Sequence, residues 1–262
     1  MVVLLNTNIP IGLVAFCVTY FYQSSCANPK AVVYALLVCA ATLFLYNAQR
    51  LFKSIFSIQS SPVLDWVKFH RQRILMYSLV LLLITVYLFL ILIRWQVEPL
   101  LCISLAGILG LWYVYPLVKI PLREIPGAKA LVVACVWLLV VVIFPLSNEG
   151  LSACMSPMEF MSYYVFFLGM AIPFDIRDLK YDSMKLKTIP QLVGMRWAKY
   201  CCMLCVATFW LSTKSNDTFD FYFLGVTAIL IGLIWGIKTN RPDWYYALID
   251  LTIIPMVWFA TQ

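Results

Sequence analysis

The sequence predicts an all-α, polytopic membrane protein of about nine transmembrane helices. Three observations carry that prediction. The first is composition: 63% of the 262 residues are hydrophobic and only 12% are charged, against about 45–50% and about 25% in a soluble domain. The mean hydropathy is +0.90. The second is run length, since a bilayer core asks for about 20 apolar residues per helix and the chain offers such runs repeatedly. The third is the placement of lysine and arginine, which alternates from one connection to the next.

The runs fall at 3–22, 31–48, 74–93, 99–117, 129–146, 157–174, 198–213, 219–237 and 244–260. The first has neither a basic leader nor a clear small-residue cleavage site, so it reads as a helix and not as a signal peptide. No connection is long enough to hold a further soluble domain, so residues 1–262 read as a single transmembrane domain. All of the 19 basic residues except Lys30, Arg94 and Lys214 follow an even-numbered span or lead into an odd one. By the positive-inside rule the N-terminus is cytoplasmic and the C-terminus outside. The net charge of +7 then lies on one face, where it serves topology and contact with anionic membrane lipids or forms a basic mouth for an anionic substrate. No basic domain stands away from the membrane face, which excludes a nucleic-acid partner. Cys202 and Cys205 form a C-x-x-C without a nearby histidine and read as packing groups in a helix. The lone His70 reads as an interfacial residue.

The stretch "DIRDLKYDSMKLKTIPQLVG", Asp175 to Gly194, breaks the apolar pattern. On a helix Asp175, Asp178 and Asp182 fall within about 60° of arc, because each residue advances about 100°. Aligned carboxylates at the end of a membrane span repel one another where water is scarce. A hard divalent cation with oxygen ligands offsets that repulsion, and Mg2+ typically shares such a site with substrate phosphates. The other reading is a solvated loop in which the acids pair with Arg177, Lys180 and Lys185.

The stretch resembles the second aspartate motif of the UbiA superfamily of intramembrane prenyltransferases. In that family an Asp-x-x-Asp-x-x-x-Asp block precedes basic residues, a Thr, an aliphatic residue, a Pro and a Leu-x-Gly. Here the order is Asp175, Asp178, Asp182, Lys185, Lys187, Thr188, Ile189, Pro190, Leu192, Gly194, after the sixth span as in the family. The resemblance implies a bundle of nine helices around a central cavity, with an active site at the cytoplasmic rim. It implies that Asp175, Asp178 and Asp182 hold Mg2+ against an isoprenyl diphosphate, whose ionisation yields an allylic cation for a small-molecule acceptor.

The family's first motif, Asn-Asp-x-x-Asp-x-x-x-Asp, is expected at the end of the second span. The chain reads "YNAQRLFKSI" there. Asn47 matches the leading Asn, but Ala48, Leu51 and Ile55 stand where the carboxylates belong. In one reading Arg50, with a planar fork, and Lys53, with a point charge, grip phosphate in place of a second metal. In the other, ionisation is lost and the protein binds or carries a lipid diphosphate without turnover. Asn47 is also placed to cap its helix.

Two further segments supply candidates. "YPLVKIPLREIPGAK" carries Tyr115, Lys119 and Arg123, which reach diphosphate or snorkel to lipid headgroups. "PDWYYALID" places Asp243, Tyr246 and Asp250 at the spacing of the acidic stretch. Asp250, about 9 Å beyond Trp244 along a helix, is an ionisable group inside a span and hence a site candidate: a base, a group orienting metal or acceptor, or a buried acid bonded to a neighbouring helix. Asp243 reads as a helix cap. The sequence thus favours a Mg2+-dependent prenyltransferase with an aromatic or lipid-like acceptor. A cyclase of the same fold and a non-catalytic lipid-diphosphate binder are the alternatives.

Overall fold

The computed structural model describes residues 5–56, 62–93, 95–114, 119–150, 154, 156–180, 186–213 and 220–261. Tyr115 and Asp182 lie outside the described residues. Within them the chain is all-α: α1 (Ile9–Ser25), α2 (Ala31–Phe56), α3 (Pro62–Phe69), α4 (Arg71–Leu92), α5 (Val97–Val114), α6 (Ala128–Trp137), α7 (Phe144–Asn148), α8 (Pro157–Asp178), α9 (Ile189–Val193), α10 (Met195–Thr213), α11 (Asp220–Trp235) and α12 (Asp243–Ala260). A π-helical segment, Leu138–Ile143, fuses α6 to α7, and a 3-10 turn, Leu122–Glu124, precedes α6. Among the described residues a helix overlaps each of the expected runs. Ala31–Ile55, Arg71–Leu92 and Ala128–Asn148 are long and apolar enough to cross a membrane; Ile9–Ser25, Val97–Tyr113 and Phe221–Trp235 are apolar but shorter. With this surface the chain is an integral membrane protein.

The chain divides into two compact units, Met1–Ile93 and Arg94–Gln262. In the first, α2 packs against α1 and α4. Gly12 makes the α1–α2 approach possible, because a Cβ there would fall 2.6 Å from Leu43 Cγ. Helices without water to exclude associate by this kind of close contact and by hydrogen bonds across the interface. The outer face of α4 carries Leu83, Tyr87, Leu90 and Ile91, all exposed, as a lipid-facing helix requires. Leu51 is buried against Val67 and Ile74. That position, where a carboxylate would fall in the first motif, is therefore a packing position.

In the second unit α8 is the central element, packed on α10, α6 and α12. It starts at a capping box: Ser156 N donates to Glu159 Oε2 at 2.6 Å, and Glu159 N donates back to Ser156 Oγ at 3.3 Å. Pro157 follows at the first helical position, where its missing N–H costs nothing. Gly169 lets α10 approach, since a Cβ would meet Cys205 Cβ at 2.6 Å. Cys202 is fully buried there, its thiol donating to Gly169 O at 2.9 Å, so this part of the C-x-x-C packs α8 against α10. Phe166 stacks on Phe209 at 4.3 Å, and Tyr163 meets Phe209 edge-on at 5.0 Å. This core fixes the axis of α8 and so the position of the acidic residues at its end.

Candidate functional site

The acidic stretch begins inside α8, which continues beyond the apolar run to Asp178. Asp175 and Asp178 are therefore one helical turn apart on the same side. Asp175 is 3% exposed, and its Oδ1 lies 3.0 Å from Nζ of Lys129. A buried carboxylate needs such a partner, because burying an uncompensated charge is costly. Lys129 is the second residue of α6, which opens at Gly127 in a left-handed conformation (φ 74°). The Gly127 N–H donates to Lys187 O at 2.9 Å. Lys187 itself has φ 41°, a region where a side chain is strained, and the ammonium-bearing side chain is exposed. Thr188 N then donates to Gln191 Oε1 at 3.0 Å to start α9. These bonds draw the start of α6, the end of α8 and the segment before α9 to one end of the second unit.

Arg177 holds Asp178. Its Nε donates to Oδ1 at 2.7 Å and its Nη2 to Oδ2 at 3.3 Å. Adjacent residues do not face each other on a helix, so the fork forms because the arginine bends across the helix end. Its Cζ lies 5.1 Å from the Phe174 ring centroid and 5.6 Å from that of Tyr246 on α12. Tyr246 is buried, with its hydroxyl donating to Lys238 O at 2.9 Å. Asp243 and Asp250 flank Tyr246 on one face of α12, and both lie within electrostatic range of the guanidinium. Asp250 is buried at 8% exposure, and Asp243 occupies the first turn of α12, where a carboxylate suits the helix dipole.

The other expected residues divide between the two units. In the second, Lys119 is exposed and Arg123 is half-buried on the 3-10 turn. Arg123 Nε is buried and makes no hydrogen bond among the described residues. In the first unit, Asn47 is fully buried and works as an anchor. Its Nδ2 donates to Leu43 O at 2.8 Å and to Thr7 O at 3.0 Å, and its Oδ1 accepts from Asn8 Nδ2 at 3.4 Å. Arg50 Nη1 donates to Asn6 O at 2.6 Å and Leu5 O at 3.3 Å. Both side chains thus fasten the segment before α1 to α2, where the sequence offered capping and phosphate binding. Lys53 is exposed in the last turn of α2.

Among the described residues no three His, Cys, Asp or Glu side chains form a metal cluster. The donor set at the end of α8 is two carboxylates on one turn. One or two carboxylates together with phosphate oxygens are what Mg2+ usually takes, in preference to an all-protein cage. Each carboxylate is held by a nitrogen cation, Asp175 by Lys129 and Asp178 by Arg177, and a metal ion would take the place of these cations. In its chemistry the donor set fits a hard divalent cation.

No family model matches the sequence, and no curated protein matches it. Among solved structures a UbiA homolog from Archaeoglobus fulgidus, bound to GPP and Mg2+, matches with a TM-score of 0.62. The match covers 98% of this chain and 97% of that one, at 15% sequence identity. This chain has a UbiA-like fold. At that identity the backbone course is what the two proteins share, and the roles of side chains rest on the geometry above. Sequence reasoning on the UbiA-like pattern does not reach Lys129, because no local signal links it to an acid 46 positions later. Arg177 is named there as a partner of the acids in the solvated-loop reading, and the structure pairs it with Asp178.

Proposed function

We propose that this chain, a single UbiA-like domain over residues 1–262, is a membrane prenyltransferase acting on an isoprenyl diphosphate with Mg2+. The observation that carries the proposal is the carboxylate pair Asp175 and Asp178 at the end of α8, paired with Lys129 and Arg177. It stands in a fold shared with a protein solved with GPP and Mg2+. Asp175 and Asp178, with Asp182, are the residues that would hold the ion. When bound, it neutralises negative charge gathering on a departing diphosphate. Arg123 presents a spare donor, and Lys119 and Lys187 present exposed ammonium groups, for the same phosphate oxygens. The allylic C–O bond breaks with its electron pair leaving on the diphosphate. A nucleophilic atom of the acceptor, aromatic or lipid-like, bonds to the allylic carbon and loses its proton to solvent. The lysine and arginine bias supports a cytoplasmic N-terminus and a site at the cytoplasmic rim.

A second reading, a lipid-diphosphate binder without turnover, is favoured by Leu51, which fills a first-motif carboxylate position with core packing. Detergent-purified protein incubated with isoprenyl diphosphates of several lengths, with and without aromatic acceptors, separates the readings once the lipid products are resolved by mass. A prenylated acceptor supports the proposal. A cyclised hydrocarbon identifies a cyclase of the same fold. Donors of every length bound but unconsumed establish the binder.

A further inference from the structure

Arg177 is better placed than a topology charge needs to be. Its guanidinium lies 5.1 Å and 5.6 Å from two aromatic centroids, Phe174 on its own helix and Tyr246 on α12, and it grips both oxygens of Asp178. A fork of this kind takes up the best-oriented lone pairs of a carboxylate. An acid held so cannot present the same lone pairs to a metal, so the arginine has to yield before Asp178 becomes a ligand. A guanidinium stays charged at any working pH, and one released at the end of a membrane helix needs another counter-charge. α12 supplies it. Tyr246 lies three residues after Asp243 and four before Asp250, offsets that place all three on one helix face, and the ring contact puts the guanidinium against that face. Asp250 is the better screened from water of the two, at 8% exposure, whereas Asp243 begins the helix.

From this juxtaposition we infer that Arg177 is a positioning residue shared between Asp178 and the acidic face of α12. Asp250 takes up the guanidinium when Asp178 turns to a divalent cation. The movement is a short swing over the Tyr246 ring, and the arginine is paired at both ends of it. The inference deepens the functional reading above and rests on it, because it assumes that the end of α8 takes a metal. It gives Asp250 an orienting role rather than that of a base.

The test is a double-mutant cycle on metal binding by purified protein without substrate, using Mn2+ followed by electron paramagnetic resonance. Asp250→Asn leaves Arg177 with Asp178 as its strongest partner, so the Mn2+ midpoint rises about tenfold, a coupling typical of contacting charges. In an Arg177→Gln background the same change moves the midpoint less than about twofold. Asp243→Asn serves as a second variant, with a smaller shift that also requires Arg177. Thermal unfolding gives an independent readout: in saturating Mn2+, where the two residues are paired, the Tm shifts of Arg177→Gln and Asp250→Asn are expected not to add. Equal midpoint shifts with and without Arg177 assign Asp250 to packing and overturn the inference while leaving the functional reading standing. A wild type that takes up no Mn2+ overturns the functional reading and the exchange together.

Discussion

Replacing Lys129 with methionine removes one half of a buried ion pair while keeping the length of the side chain. Asp175 then remains with its side chain 4% exposed and without its partner 3.0 Å away. Removing one member of a buried pair costs about 3–5 kcal/mol, because the other charge stays desolvated. The Lys129 side chain is 17% exposed, so some water reaches the pair, and the lower end, about 3 kcal/mol, applies. At about 2–4 °C per kcal/mol for a chain of this size, Tm falls by about 6–12 °C. The double variant Lys129→Met/Asp175→Asn buries no charge, and its Tm lies within about 4 °C of wild type. Thermal unfolding in detergent, followed by tryptophan fluorescence, measures all three proteins. Excess Mg2+ raises the Tm of Lys129→Met more than that of wild type, because a ligand that binds only the folded state stabilises it and the ion replaces the lost ammonium. A fall below about 2 °C for Lys129→Met, or a double variant that melts no higher than Lys129→Met, refutes the view that this pair neutralises the acidic site.

Three further outcomes follow from single positions. Gly169→Ala places a Cβ 2.6 Å from Cys205 Cβ and lowers unfolding stability by about 1–3 kcal/mol, read from the same melts. Lys187→Gly relieves the φ of 41° and raises stability by about 1 kcal/mol while weakening isoprenyl diphosphate binding, so melts and equilibrium binding move in opposite directions. Asn47→Ala leaves Thr7 O without its side-chain donor and costs about 1–3 kcal/mol, with faster hydrogen exchange in residues 5–8.

Hydropathy made the helices legible, because lipid-facing and core-facing surfaces are both apolar and every span announces itself. It placed the end of the sixth span at residue 174, where the apolar run stops, whereas α8 continues to Asp178. Hydrogen bonding extends the helix beyond its hydropathy, and the extension is what sets Asp175 and Asp178 on one turn. The spacing of Asp175 and Asp178 was legible as well. Their partners were not. Lys129 meets Asp175 only after α6 packs on α8, and Asn47 meets Thr7 only after α1 packs on α2. Arg50 looked like a phosphate ligand because its residue type suits one, yet two backbone carbonyls of the segment before α1 engage its Nη1. The π-helical segment at Leu138–Ile143 had no signal in a uniformly apolar run.

The measurement that tests the central claim most directly is release of diphosphate from an isoprenyl diphosphate by wild type and Asp178→Ala, each with Mg2+ or with EDTA. The account predicts release by wild type that requires Mg2+ and falls at least 100-fold in the variant, about 3 kcal/mol of lost transition-state stabilisation. Release that is indifferent to EDTA, or retained in Asp178→Ala, contradicts it.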